Sequence, residues 1–363
     1  MFRPFRAMLF AGLAVLAATG SSSDALSPGF MRGAKTWPVG AENSLSAMTY
    51  NIRGLPWPIA MGRTQALAAI ADRLANMRRA GVQPHIVLLQ EAFTPEAAQI
   101  AARAGYAHVV AGPDAGQPST MMAGGDDIAF LADARWDRGE RMGKQLGSGL
   151  LILSDYSVIA IDRLAFPDFA CAGFDCLANK GVLIAHLAVP GSPLPVSIVN
   201  THLNARKAAG VPVIRTQHAF ARQVDLMARF IADHVPEGQP MILGGDMNIG
   251  KDAQRAQAFF ARFARAGLSF VTPRLAGAHR ALAEAACADE GARRDLMRAS
   301  QHAKDWLFAR DARHAPMPLA AAHVPFGTEP DGIALSDHVG YVIDYRGAAP
   351  LHVAQTRRNG AML

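Results

Sequence analysis

The chain has 363 residues, half of them hydrophobic and 18% charged, which excludes a disordered protein and leaves room for a large core. Its net charge of +6 and pI near 9.5 suit anionic partners: phosphodiesters, nucleic acid or acidic lipid faces. Lys and Arg never form a run of five or more, which argues against a nucleic-acid-binding tail, and three cysteines argue against a thiolate metal centre.

Residues 1–26 read as an export signal. Arg3 and Arg6 precede an apolar run, Ala7 to Ala18, and small residues Thr19 to Ser23 follow. That run of about a dozen residues is too short to span a bilayer. A secreted or periplasmic protein is expected, and Cys171 and Cys176, five apart, are close enough for a small loop disulfide that would leave Cys287 unpaired. Residues 27–44 read as a linker, 45–346 as one catalytic domain and 347–363 as a tail.

Leu45 to Tyr50 predicts a strand with Asn51 at its end. Gly54 to Pro58 must be a loop, because two prolines block a ladder. Thr64 to Ala80 is helical, with Leu67, Ile70 and Leu74 on one face and Gly81 as its stop. His85 to Gln90 is a buried strand with Glu91 at its exit, and Pro95 to Ala104 a helix. Residues 112–127, Gly-rich and polar, read as a mobile loop. Ser148 to Ser154 and Val158 to Phe166 are strands; 167–180 is a loop bearing Phe169, Phe174 and Lys180. Gly181 to Val189 and Pro195 to Asn200 are neighbouring strands, the second running into Thr201-His202. A long amphipathic helix covers Val213 to His234.

Met241 to Leu243 is an apolar strand whose two following glycines permit a turn before Asp246 and Asn248. Those two polar residues lie two apart, on one face of an extended strand end, and suit a divalent cation and a phosphate oxygen. A helix from Ala253 to Ala266, helical structure across 276–303, and strands at Asp305 to Ala309 and Val339 to Tyr345 complete the chain. Interleaved strands and helices, with several consecutive strand pairs, predict an α/β sandwich of two sheets with helices outside.

Polar chemistry recurs at the strand ends: Asn51, Glu91, His202, Asp246 with Asn248, and Asp337 with His338. Asp305 opens the apolar run Trp306-Leu307-Phe308, where a buried carboxylate needs a partner. Any one of these residues alone is more often structural. Together they match an inventory of metal ligands, an acid/base histidine and a carboxylate to orient it.

Thr49-Tyr50-Asn51-Ile52, Leu89-Gln90-Glu91, Ser148-Gly149-Leu150, Asn200-Thr201-His202-Leu203, Gly244-Gly245-Asp246-Met247-Asn248 and Ser336-Asp337-His338 resemble, in order, the motifs of the endonuclease/exonuclease/phosphatase superfamily. The resemblance spans residues 45–345 and implies a four-layer αββα sandwich of the DNase I-like type, in the α+β class, with Mg²⁺-dependent phosphodiester hydrolysis. Mn²⁺ and Co²⁺ are alternative ions. Leu177 to Val182, with Asp175 five residues before Lys180, looks like the Lys-Gly segment of neutral sphingomyelinases. Asn-Thr-His-Leu-Asn-Ala at 200–205 is similar to the sphingomyelinase version, with Asn204 where Gln is commoner. The aromatic pair of the bacterial toxins' membrane hairpin has no match.

The resemblance implies a metal held by Glu91, Asn51 and Asp337. It makes His338 the general base, with Asp305 holding its tautomer. Asp246 would position the water or a second ion. His202 would donate to the phosphate or leaving group, and Asn248, Asn204 and Lys180 would contact the phosphate. Three substrate readings follow. The first is a monomeric phospholipid diesterase, sphingomyelinase-like, touching the membrane through Phe166, Phe169 and Phe174. The second is a secreted nuclease using the same machinery and the basic charge. The third, a non-catalytic binding protein, has no need of so many costly polar groups.

Overall fold

A computed structural model describes residues 44–329 and 334–346. The expected export signal, nearly all of the linker and the C-terminal tail lie outside the described residues.

One sheet of six strands runs in the order β10-β11-β1-β2-β4-β3. It comprises β1 (Ser44–Gly54), β2 (Ile86–Ala92), β3 (His108–Ala111), β4 (Leu151–Ser154), β10 (Leu319–Phe326) and β11 (Gly340–Arg346). A second sheet of five runs β5-β6-β7-β8-β9. Its strands are β5 (Ser157–Ala165), β6 (Gly181–Ala188), β7 (Val196–His202), β8 (Met241–Asp246) and β9 (Asp305–Arg310). The helices are α1 (Arg63–Arg79), α2 (Pro95–Ala98), α3 (Ile100–Ala104), α4 (Gly125–Ala132), α5 (Val213–His234), α6 (Ala253–Arg265), α7 (Gly277–Ala283) and α8 (Glu290–His302).

Alternation along the strands sorts their side chains into three cores. Met48, Tyr50 and Ile52 of β1, with Val87 and Leu89 of β2, pack outward on Leu67, Ile70 and Leu74 of α1. Leu45 and Ala47, with Ile86 and Leu88, face inward and meet Leu183, Ile198, Ile242 and Leu307 of the other sheet. Val199, Met241, Leu243 and Phe308 face outward again, onto Phe220, Val224, Met227 and Ile231 of α5 and Phe259 and Phe263 of α6. The result is the expected four-layer αββα sandwich.

Several local expectations need correction. The helix expected across 95–104 breaks at Gln99, and the helical stretch at 276–303 divides where Ala285 turns left-handed. Residues 112–127 are more ordered than a mobile loop: Asn179 Nδ2 donates to Asp114 O and Gln117 O at 2.6 and 2.9 Å, and α4 begins at Gly125. The loop 167–180 contains two short 3-10 turns, Asp168–Ala170 and Gly173–Leu177. Strands β3 and β10 were not expected. β3 has four residues, and β10 reads Leu-Ala-Ala-Ala, a sequence of low strand propensity. Cys171 and Cys176 are joined, and Cys287 is free.

Candidate active site

The strand pleat aims the key side chains inward. Asn51 shares the face of Leu45 and Ala47, His202 that of Ile198, Asp246 that of Ile242, and Asp305 that of Leu307. Register then sets three of them abreast, with His202 paired to Asp246 and Asp246 to Asp305. Gly245 makes this crossing possible. Its φ is +134°, and a Cβ there would stand 2.1 Å from Thr201 O.

The cluster centres on Asp246. Asn51 Nδ2 donates to Asp246 Oδ2 at 3.1 Å and to Glu91 Oε1 at 2.9 Å, so one neutral amide bridges two carboxylates from different sheets. Asp246 Oδ1 accepts the Asn248 backbone N–H at 2.9 Å. His338 Nε2 lies 3.8 Å from Asp246 Oδ2, while its Nδ1 meets Asp305 Oδ2 at 2.8 Å. His202 Nε2 lies 3.6 Å from the same Asp246 oxygen. Lys180 Nζ makes three contacts, to Asp175 Oδ2 at 2.9 Å and to Leu203 O and His202 Nε2 at 3.2 Å. These three acceptors match its three N–H groups, so His202 Nε2 accepts and the ring is neutral.

Electrostatics follow from these neighbours. Burial drives the His202 ring down and Lys180 adds to the effect, against Asp246 and Asp175, leaving it at about 3. Burial also acts to lower His338, but Asp305 and Asp246 outweigh it and raise the ring to about 10. Burial opposes ionisation of Asp246, yet His338 and His202 hold its carboxyl at about 2. Burial pushes Glu91 up, against the Asn51 hydrogen bond. Asp175 stays below the usual carboxylate range because Lys180 offsets its burial.

The donor set fits a hard divalent cation. Part-buried Glu91 and buried Asp246 offer carboxylate oxygens that converge on one amide, and charge of that kind needs a positive partner. Asn51 turns its Nδ2 toward them, and its Oδ1 accepts the Arg53 N–H at 3.0 Å. Oxygen ligation by Asn51 therefore requires the amide to turn over. Asp246, Asp305 and His338 also approach within 4.8 Å of one another. The short Asp305–His338 hydrogen bond marks that trio as a proton-handling group.

Two expected residues are placed otherwise. Asn204 is fully buried; its Oδ1 accepts the Ala172 N–H and its Nδ2 donates to Ala205 O, both at 2.9 Å. It braces a loop from a position with no solvent exposure. Asp337 is exposed and takes a 3.4 Å hydrogen bond from Ser336 Oγ, whose hydroxyl also donates to Asn51 O at 2.7 Å. Asn248 Nδ2 donates one N–H to Leu203 O at 2.9 Å, which leaves the second N–H of that amide for a phosphate oxygen. Phe166 and Phe169 are core residues, and of the three aromatics only Phe174 is exposed.

Sequence reasoning missed the supports. Gln90 Nε2 donates to Asn200 Oδ1 at 2.8 Å, and Asn200 Nδ2 to Leu89 O and Leu151 O at 2.9 and 3.0 Å, clamping the two sheets beneath the site. The signal was a polar residue inside each apolar strand. Arg255, fully buried, donates to Asn204 O and Asn248 O at 2.8 Å, tying the loops after β7 and β8 together. On an amphipathic helix nothing marks it out.

Solved structures share this architecture. A beta toxin from Staphylococcus aureus aligns with a TM-score of 0.54 at 15% identity, covering 84% of this chain and all of its own. A variant of that toxin with bound magnesium ions gives 0.55 at 14%, covering 84% of this chain and 100% of its own. Sphingomyelinase C from Streptomyces griseocarneus gives 0.53 at 17%, covering 84% and 99%. At these identities the likeness is one of fold. Among curated proteins no sequence matches. The Endonuclease/Exonuclease/phosphatase family matches residues 48–345, nearly the whole of the sandwich and every strand end that carries the cluster. The chain belongs to that family.

Proposed function

We propose that this protein is an exported, metal-dependent phosphodiesterase that hydrolyses a phospholipid diester in the manner of a sphingomyelinase. The observation that carries the hydrolytic reading is the Asn51-bridged pair Glu91–Asp246 beside the His338–Asp305 couple. The lipid reading rests on the part-buried Asp175–Lys180 pair in contact with His202, together with the sphingomyelinase among the similar structures.

Glu91 and Asp246 would hold the cation, with Asn51 once its amide turns. Bound Mg²⁺, or Mn²⁺ or Co²⁺ in its place, would polarise a phosphate oxygen and offset charge in the transition state. The chain's own residues do the rest. With the cation beside Asp246 lowering its pKa from about 10, His338 would become neutral and accept the proton of the attacking water at Nε2. Asp305 holds the Nδ1–H and stabilises the imidazolium that forms. Asp246 Oδ2 stands 3.8 Å from that Nε2, so the base faces the carboxylate that would hold the cation. Lys180 sets a positive charge beside His202, where the phosphate would lie. Asn248, held against Asp246 through its backbone N–H, would offer its second side-chain N–H to the same phosphate.

Residues 1–26 would direct export, and the Cys171–Cys176 bridge supports an oxidising compartment. Among the described residues, no helix is long and apolar enough to cross a membrane. The catalytic domain would be residues 45–346, acting as a monomer.

A nuclease is the second reading, favoured by the pI near 9.5. Phosphocholine release from sphingomyelin liposomes, measured beside plasmid digestion with Mg²⁺ and with EDTA, separates the two. The proposal expects release with Mg²⁺, none with EDTA, and intact plasmid. Plasmid cleavage without lipid turnover would replace it with the nuclease.

A further inference from the structure

The nine residues Gly54–Gly62 join the end of β1 to α1 immediately beyond Asn51. Three of them present large apolar side chains to solvent: Trp57 is 80% exposed, Ile59 64% and Met61 81%. An isolated exposed apolar side chain needs no explanation, but three on one short loop form a patch. We propose that this loop is a lipid-docking tip that seats the catalytic rim on a phospholipid bilayer; the inference rests on the phospholipid reading above and gives it a place of contact.

The tip is preformed. Ile59 N–H and Ala60 N–H both donate to Pro56 O, at 2.9 and 3.3 Å, and Ala60 is buried as its anchor. A tip already ordered loses little conformational entropy on docking. Its base is fixed to the active site. Arg63 donates to Ile52 O, Arg53 O and Leu335 O at 2.7 to 2.8 Å, so it ties the end of β1 to the segment that carries Ser336 and His338.

Composition selects the partner. Residues 54–62 contain no charged side chain and no side-chain amide. A nucleic-acid surface is contacted through its phosphates by Lys, Arg and polar side chains, which this loop lacks. Arg53 and Arg63 stand at its two ends. An apolar tip with Trp at its crest and cations at its foot matches the layers of a bilayer surface: acyl boundary, then headgroup phosphate. In the turn Gly173–Leu177, which connects β5 to β6 of the other sheet, Phe174, 45% exposed, is next in sequence to Asp175, the partner of Lys180. Connections from both sheets thus carry exposed apolar side chains close in sequence to residues of the site.

Cosedimentation of the full chain with phosphatidylcholine–sphingomyelin vesicles, in EDTA so that binding is read without turnover, tests this. The variant carries Trp57→Ser, Ile59→Ser and Met61→Ser, and its melting transition serves as the folding control. Wild type should pellet with the vesicles, and the variant's partition coefficient should fall by at least about tenfold, in line with the apolar area withdrawn. Trp57→Phe, which preserves the tip, should abolish the blue shift of tryptophan emission on adding vesicles, and this decides the matter if the triple variant fails to fold. Wild type that does not pellet, equal partition of the folded variant, or an unchanged blue shift in Trp57→Phe would each overturn the proposal. So would a wild-type dimer that the triple variant makes monomeric, or a variant that loses duplex DNA and keeps vesicles. An enzyme that docks but releases no phosphocholine would sink the catalytic reading alone.

Discussion

His338 and His202 approach the same atom, Asp246 Oδ2, at 3.8 and 3.6 Å, from opposite sheets. Each is buried, and each faces the same negative charge. What stands behind the ring differs. Asp305 holds His338 at Nδ1, and the ring rises to about 10; Lys180 meets His202 at Nε2, and the ring falls to about 3. Two histidines sharing one carboxylate thus take different protonation states, His338 cationic and His202 neutral, because a carboxylate lies behind one ring and an ammonium behind the other.

The largest break in this contrast is His338→Ala. Diester turnover by equally folded protein should fall roughly 10²–10⁴-fold, and activity within tenfold of wild type would remove His338 as the base. The contrast sharpens under titration. In EDTA, ring-proton NMR should find His338 cationic to about pH 10 and His202 neutral down to about pH 3. Adding Mg²⁺ should lower the His338 midpoint, because a second cation near Asp246 disfavours the imidazolium. A midpoint unmoved by Mg²⁺ places the ion elsewhere. Lys180→Met should raise the His202 midpoint, since it removes the cation that helps hold it down.

Stability should follow the same signs. The folded pKa of His338 lies above the unfolded value, so its contribution is full below about 6.5 and is lost as pH climbs through about 10. The folded pKa of His202 lies below it, so the folded state loses ground as pH drops from about 6.5 toward 3. Urea unfolding in EDTA should show His338→Gln flattening the alkaline limb and His202→Gln the acid limb, and identical limbs in both variants would erase the distinction. The smallest effect lies away from both rings. The Cys171–Cys176 bridge closes only a short loop, and its removal should cost about 2 kcal/mol in the same unfolding assay.

The strand ends were legible because burial makes polarity conspicuous: Glu91 after Ile-Val-Leu-Leu-Gln and Asp305 before Trp-Leu-Phe stand out against apolar neighbours. Pleat parity then converts those positions into a shared face, as it does for Asn51, His202 and Asp246. What the sequence hid depends on partners far along the chain. Nothing local says that Asn204 spends its amide on Ala172 and Ala205, or that Asp337 turns to solvent. Arg255 on α6 looks like any helix cation until its carbonyl partners are in place. Strand β10 was invisible because alanines carry little strand signal, and its pairing with β11 decides the matter.

The Gln90–Asn200 clamp lies directly below the Asn51–Asp246 and His338–Asp305 contacts, and all three span the two sheets. Each sheet therefore owns half of a reaction centre, and neither half is competent by itself. Hydrolysis becomes a gauge of how well two independently hydrogen-bonded slabs are seated on each other. In rising urea, turnover should vanish while far-ultraviolet ellipticity persists, because a slip of the slabs parts the halves before either ladder unzips.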